Sequence, residues 1–339
     1  MEVNNISKEI KKSLKTRIIT AIALLVVGIP CVLLGGWFFV VFIAVATFMA
    51  TYEILYATKK RFPIPVYILE FVMMFSFVFW IFVKKDPFSR EAIVTIDTNS
   101  WISNIHMIDL SVSTLGLAFF VAMLFLCVIT YKEFDVKDAC YLFTMSMFTS
   151  IALQSALFLR FCPEAIHNFA IKDDFVPAFT YDHPLQECLL LCYVAGTALL
   201  CDVYAYFVGI LFGKHKMNPR ISPKKTWEGF IGGIVLATVT GVVFVFVCDA
   251  LGAPVLKGIL DIENWYWPVL FSITISVISV LGDLMFSAIK RYFDIKDFGN
   301  LLPGHGGVLD RFDSVLISAL IVSSLILFIV YTPLNALVF

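Results

Sequence analysis

Charge is what this chain has least of. Only 15% of its 339 residues are Asp, Glu, Lys or Arg, where a soluble domain carries about 25%. Hydrophobic residues make up 60%, 34 of the residues are phenylalanine, and the mean hydropathy is +0.90. Such a chain meets lipid over most of its surface. Neither sign of charge is in excess: the formal net charge is −1, so no basic field exists to hold a nucleic acid. The eight cysteines include no CxxC pair, and Cys31, Cys127, Cys192, Cys201 and Cys248 lie inside apolar runs. They read as small core residues, not as a disulfide framework or a zinc site. A cleavable leader is also missing from the reading: no small-x-small pattern ends the first apolar run, and a second run follows at once.

A bilayer-spanning helix needs ~20 apolar residues. Runs of that order occur at about 17–34, 37–57, 63–83, 110–131, 140–161, 188–212, 229–251, 265–289 and 315–333. The expected fold class is therefore all-α: a polytopic integral membrane protein with about nine transmembrane helices. Gly35-Gly36 is a hairpin too tight for any domain outside the membrane. Placing the tail with Lys8, Lys11, Lys12, Lys15 and Arg17 in the cytoplasm puts most other cations there too. These are Lys59, Lys60, Arg61, Lys132, Lys137, Lys214, Lys216, Arg220, Lys224, Lys225, Lys290, Arg291, Lys296 and Arg311. That asymmetry is the positive-inside signature. The loops near 84–109 and 162–187, the latter with Asp173, Asp174, Asp182 and Glu187, read as extracytoplasmic connectors without chemistry. The expected organisation is residues 1–135 as N-terminal membrane helices, about four spans, and 136–339 as a catalytic membrane domain with cytoplasmic loops 213–228 and 290–314.

Those two loops are the polar exceptions. In "LGDLMFSAIKRYFD", Asp283, Ser287, Lys290 and Asp294 recur every three or four residues and would share one helix face. A carboxylate in so apolar a run is costly beside lipid and should face a partner or a wet cavity. In "KDFGNLLPGHGGVLDRFD", Gly304, Gly306 and Gly307 allow unusual backbone conformations and leave N–H groups available to an anion. His305 adds a donor. Asp310 and Asp313 share a face if a helix begins there, and with Asp283 they form a hard oxygen set suited to Mg²⁺. A polar helix cap with Asp310 as N-cap would explain one feature, and a snorkelling helix end would explain Lys290-Arg291. Neither explains the combination.

The other loop, "NPRISPKKTWEGFIGG", has Ser222, Lys224, Lys225 and Thr226 in front of a span, behind a stiffening Pro223. Two cations and two hydroxyls make a candidate triphosphate clamp. Gly229, Gly232 and Gly233 would permit close helix packing. Asp202 and Tyr206 lie within the sixth apolar run, where an aspartate is a functional candidate.

At these residues the chain resembles the phosphatidate cytidylyltransferase (CDP-diacylglycerol synthase) family. The resemblance is carried by Ser287, Lys290-Arg291, Lys296-Asp297, Gly299, Pro303, His305-Gly306-Gly307, Asp310-Arg311 and Asp313, by "SPKKTWEG" at 222–229, and by "DVYAYFVG" at 202–209. It is strong over 195–320 and topological before that. Val203 replaces a usual threonine, and Phe286 stands where many bacterial members have glutamate. The resemblance implies transfer of CMP from CTP to phosphatidic acid, giving CDP-diacylglycerol and pyrophosphate in phospholipid biosynthesis. It also implies Mg²⁺, with a second cation left open, and a homodimer in a bacterial plasma membrane with a cytoplasmic site.

On that basis Asp283, Asp310 and Asp313 are expected to hold the metal, with Ser287 a further ligand. Ser222, Lys224, Lys225 and Thr226 are expected to bind CTP. Lys290, Lys296, Arg311 and His305 should contact the lipid phosphate or pyrophosphate, and Asp202, Arg291, Asp297, Gly306 and Gly307 belong to the substrate site. Two rival readings are a polyprenol kinase that transfers the γ-phosphoryl of CTP, and a secondary transporter with Asp202 and Asp283 as an ion relay. The transporter would show internal repeats, and the 283–313 pattern has no counterpart in the first half of the chain.

Overall fold

A computed structural model describes residues 19–20, 22–79, 106–170, 187–304 and 306–331, without the side chains of 106–115, 162–170 and 330–331. The expected N-terminal cationic tail and most of the two long connectors lie outside these residues. The elements are α1 (Ile22–Leu34), α2 (Gly36–Ala57), α3 (Ile64–Phe79), α4 (His106–Thr130), α5 (Val136–Ala170), α6 (Leu189–Phe212), β1 (Lys216–Asn218), β2 (Ser222–Thr226), α7 (Trp227–Ala250), α8 (Tyr266–Tyr292) and α9 (Leu309–Tyr331). Six helices, α2 and α5 to α9, are long and apolar enough to cross a membrane; α1, α3 and the Gly116–Thr130 part of α4 are shorter apolar helices. The chain is a nearly all-α, polytopic membrane protein.

Small residues set the closest helix crossings, as they do where backbones must approach within lipid. Helix α7 lies on α6 through Gly229, Gly232 and Gly233: a Cβ on each would come within 2.6–2.8 Å of Ala205 O, Val208 Cγ1 and Ala205 Cβ respectively. Helix α8 meets α9 at Gly282, where a Cβ would lie 2.8 Å from Ile317 Cδ1. Buried serines on these helices return their hydroxyls to the preceding turn, Ser276 to Ser272 O at 2.7 Å and Ser318 to Ser314 O at 2.8 Å. Their polar atoms are thereby satisfied without a partner helix.

The α1–α2 reversal uses positive φ at Gly35 (62°) and Gly36 (49°), a region open to glycine. Arg160 of α5, fully buried, seals it. Its Nε donates to Val32 O at 2.9 Å, and its Nη1 pairs with Glu187 at 3.0 Å. The arginine thus satisfies a carbonyl that the end of α1 leaves open.

At the other end of the bundle the polar connections gather. Lys59 Nζ donates to Asp294 O at 3.0 Å, Lys60 pairs with Asp138 at 2.7 Å, and Arg291 Nε donates to Ile221 O at 3.4 Å. The Asp138 hydrogen bond raises the Lys60 pKa above the usual lysine value. One end of the protein therefore carries the Lys59–Arg61 turn, the β1–β2 hairpin, the C-terminus of α8 and the loop that leads into α9.

Candidate active site

Helix α9 begins at Leu309, about six residues before the apolar run that signalled it, because its first turn is capped by carboxylates rather than buried in lipid. The opening N–H groups of a helix have no partner inside it. Here the Val308 N–H donates to Glu53 Oε1 at 2.7 Å and the Leu309 N–H to Glu53 Oε2 at 2.8 Å. Asp310 serves the loop behind: its Oδ2 accepts from the Phe298 N–H at 2.8 Å and the Gly307 N–H at 3.0 Å, while Oδ1 pairs with Lys290 Nζ at 2.8 Å. Lys290 also stands 5.7 Å over the Phe298 ring. Both Asp310 oxygens are thus occupied by the protein itself, and the residue acts as the hub of the loop. Asp310, expected as a metal ligand, and Lys290, expected to contact a phosphate, are paired with each other here.

The glycine loop closes on itself as well. The Gly306 N–H donates to Leu302 O at 3.1 Å and the Leu302 N–H to Gly306 O at 3.0 Å, with positive φ at Gly304 (76°) and Gly306 (85°). The conformational freedom expected of these glycines is used. The amides of Gly306 and Gly307, expected to face an anion, point instead at Leu302 and Asp310. His305 lies outside the described residues.

A second group of charges forms where α6, α8, α9 and β2 converge. Lys225 Nζ lies 2.6 Å from Asp283 Oδ2, and Ser287 Oγ donates to Asp283 Oδ1 at 3.3 Å. Asp202 of α6 is reached by the Ser314 hydroxyl and has Asp283 and Lys225 as electrostatic neighbours. Asp313, buried at the start of α9, has Asp283, Asp202 and Lys290 as electrostatic neighbours, and its Oδ1 accepts the Ser314 N–H at 2.8 Å. Three carboxylates and two ammonium groups, from three helices and a strand distant in sequence, are therefore electrostatic neighbours. The shared face of Asp283, Ser287 and Lys290 is as expected. Asp294 is not on it, because α8 stops at Tyr292 and Asp294 turns the chain with φ 51°.

The β1–β2 hairpin explains how "SPKKT" is used. Successive strand residues face opposite ways, so Lys225 turns in to Asp283 while Lys224 is exposed. Thr226 is buried, and its Oγ1 accepts the Gly229 N–H at 3.2 Å as the N-cap of α7. The hydroxyl expected to contact CTP thus also starts a helix. Ser222 is half-buried, and Lys296, Arg291 and Arg311 are exposed at the same end of the protein. Asp297 packs beside Gly306, whose Cβ, if present, would lie 3.1 Å from Asp297 Cγ.

Sequence reasoning overlooked Glu53. The signal was available: a lone carboxylate in "FMATYEILYA", the same cue that marked Asp202 and Asp283. Phe286, where family members often carry glutamate, is fully buried between Phe148 and Phe298, with ring centroids at 6.0 and 5.7 Å.

Magnesium commonly binds one or two carboxylates and completes its shell with water and substrate phosphates. Asp283 and Asp313, with Asp202 beside them, fit that sparse mode. Among the described residues no three His, Cys, Asp or Glu side chains form a cage around one ion.

A polytopic membrane protein with a mixed carboxylate–ammonium site at one end of its bundle is thus defined. The sequence profile of the cytidylyltransferase family matches residues 15–329, and the chain belongs to that family. It is 30% identical over 308 residues to a phosphatidate cytidylyltransferase of Staphylococcus haemolyticus (strain JCSC1435), covering 89% of this chain and 95% of that protein. It is 50% identical over 115 residues to one from Bacillus subtilis (strain 168), covering 34% of this chain and 39% of that protein. A phosphatidate cytidylyltransferase of Mycobacterium leprae (strain TN) is 43% identical over 134 residues, 40% of this chain and 38% of that one.

Proposed function

We propose that this protein is a phosphatidate cytidylyltransferase, transferring CMP from CTP to phosphatidic acid with release of pyrophosphate. The observation that carries the reading is the meeting of Lys225, Asp283, Asp313 and Asp202 at one end of a membrane bundle, in a chain of the cytidylyltransferase family. A phosphate oxygen of the lipid attacks the α-phosphorus of CTP; the new P–O bond forms as the α–β bridging bond breaks, and pyrophosphate carries away the electron pair. A phosphate monoester has its second pKa near ~6, so the nucleophile is already largely dianionic at neutral pH and needs no strong base. The barrier lies in bringing anions together and steadying the leaving group.

In this reading Lys225 and Lys224, with Ser222, hold the CTP phosphates, and the exposed Lys296, Arg291 and Arg311 draw the lipid phosphate to the same end. Asp283 and Asp313 would hold Mg²⁺, with Asp202 and Ser287 beside them. That ion, when bound, supplies charge neutralisation at the triphosphate and the departing pyrophosphate. Asp310 and Lys290 keep the loop and the start of α9 in register. The site faces the cytoplasm of a bacterial cell, as the clustering of cations at that end supports, and the protein pairs as a homodimer.

The test uses purified protein, phosphatidate, Mg²⁺ and CTP labelled at the α-phosphorus. Label entering the lipid with equimolar pyrophosphate supports the proposal; label remaining in CDP points to the kinase rival and removes it. Activity of sealed inverted vesicles toward added CTP, absent from right-side-out vesicles, checks the sidedness.

A further inference from the structure

We propose that Glu53 is a positioning residue of this reaction: from α2 it holds the N-terminus of α9 and thereby fixes where Asp310 and Asp313 stand. The inference rests on the proposed cytidylyl transfer for its chemical meaning, and on geometry of its own. Most helix caps come from the residue just outside the helix. This one arrives from 255 and 256 positions away, with each carboxylate oxygen on its own backbone N–H at 2.7 and 2.8 Å. Glu53 is fully buried, and charge-assisted bonds of this type are the strong ones.

The loop is shaped around that carboxylate. A Cβ at Gly307 would lie 2.7 Å from Glu53 Oε2, and one at Gly299 would lie 2.9 Å from Glu53 Cγ. Two of the loop's glycines thus occupy positions where a side chain would push the carboxylate off the helix. Neighbouring contacts run the same way: Lys59 Nζ to Asp294 O at 3.0 Å and Thr20 Oγ1 to Pro303 O at 2.8 Å. The N-terminal helices are in this account one wall of the site. Leverage comes from adjacency. Glu53 grips the amide of Leu309; Asp310 is the next residue, and Asp313 follows within one turn. Misplacing a reacting constellation by about 1 Å can cost about 10²-fold in rate.

The experiment compares full-length wild type, Glu53→Gln, Glu53→Asp and Gly299→Ala in lipid nanodiscs. It reads kcat and KM for CTP, the thermal unfolding midpoint, and hydrogen exchange at the Val308 and Leu309 amides. Glutamine keeps the shape but turns a donor toward one N–H, so kcat should fall by about 10²-fold with KM for CTP little changed and both amides exchanging faster. Aspartate, which keeps the charge, should recover part of kcat. A Gln variant with wild-type kcat overturns the proposal, whether its stability is kept or lost, because a purely structural cap would behave so. Where the Gln variant fails to fold, Gly299→Ala decides: reduced kcat in a folded protein supports the proposal, and wild-type turnover overturns it. The exchange measurement needs no substrate. A wild type inactive on CTP and phosphatidate, with faster exchange still seen in Glu53→Gln, sinks the cytidylyl-transfer reading and leaves the clamp standing; unchanged exchange sinks the clamp.

Discussion

Lys225 and Asp283 stand 2.6 Å apart, joining the strand before α7 to the middle of the site on α8. In the proposed reaction the triphosphate would take the carboxylate's place at Lys225, and the cation the ammonium's place at Asp283. Lys225→Ala should therefore raise the KM for CTP by about tenfold, equivalent to about 1.4 kcal/mol, and leave the KM for phosphatidate nearly unchanged. Steady-state kinetics with each substrate varied in turn checks this. An unaltered CTP dependence would remove Lys225 from the nucleotide site.

Asp283 on α8 and Asp313 on α9 are electrostatic neighbours, and the proposed reaction would place a divalent ion between them. Asp313→Asn and Asp283→Asn should each lower incorporation of α-labelled CTP into lipid by about 10²-fold or more. The residual activity should require more Mg²⁺ for half-saturation. Magnesium titrations of the purified variants provide the measurement, and wild-type Mg²⁺ dependence in both would contradict the assignment.

Lys290 and Asp310 form a pair with almost no solvent contact, their side chains 10% and 3% exposed. Breaking such a pair strands a buried charge and costs about 3–5 kcal/mol. Lys290→Met should accordingly lower the unfolding midpoint sharply. Adding Asp310→Asn to it removes the stranded anion and should recover part of the loss. Unfolding measured in detergent for both singles and the double variant tests the coupling; simple additivity would show that the two residues act separately.

Thr226 offers a cleaner separation of structure from binding. Thr226→Val deletes the cap on the Gly229 N–H and should cost about 1 kcal/mol of stability, while Thr226→Ser keeps it. The KM for CTP should be unchanged in both. A raised KM in the valine variant alone would return the hydroxyl to the nucleotide site.

Much of this architecture was readable from composition. The boundaries of α2, α6 and α7 fall within two residues of the apolar runs that signalled them, because the length of a span is set by bilayer thickness. The start of α9 was misplaced for the converse reason: its first turn is polar and is held by Glu53 and Asp310, which a hydropathy reading assigns to a loop. Asp283, Ser287 and Lys290 were correctly placed on one face, since helical periodicity is local. Their partners were not legible, since Lys225, Asp310 and Asp202 come from other elements.

What the amino-acid order determined alone was the membrane class and the gathering of polar residues in two short segments between apolar runs; these depend on local hydropathy, charge and spacing. Tertiary structure decided how the charges are divided: Lys225 to Asp283, Lys290 to Asp310, and Glu53 to the amides of Val308 and Leu309. Unpaired helix-end amides and buried charges must find partners within reach in space, and which partners lie within reach is set by how the helices pack.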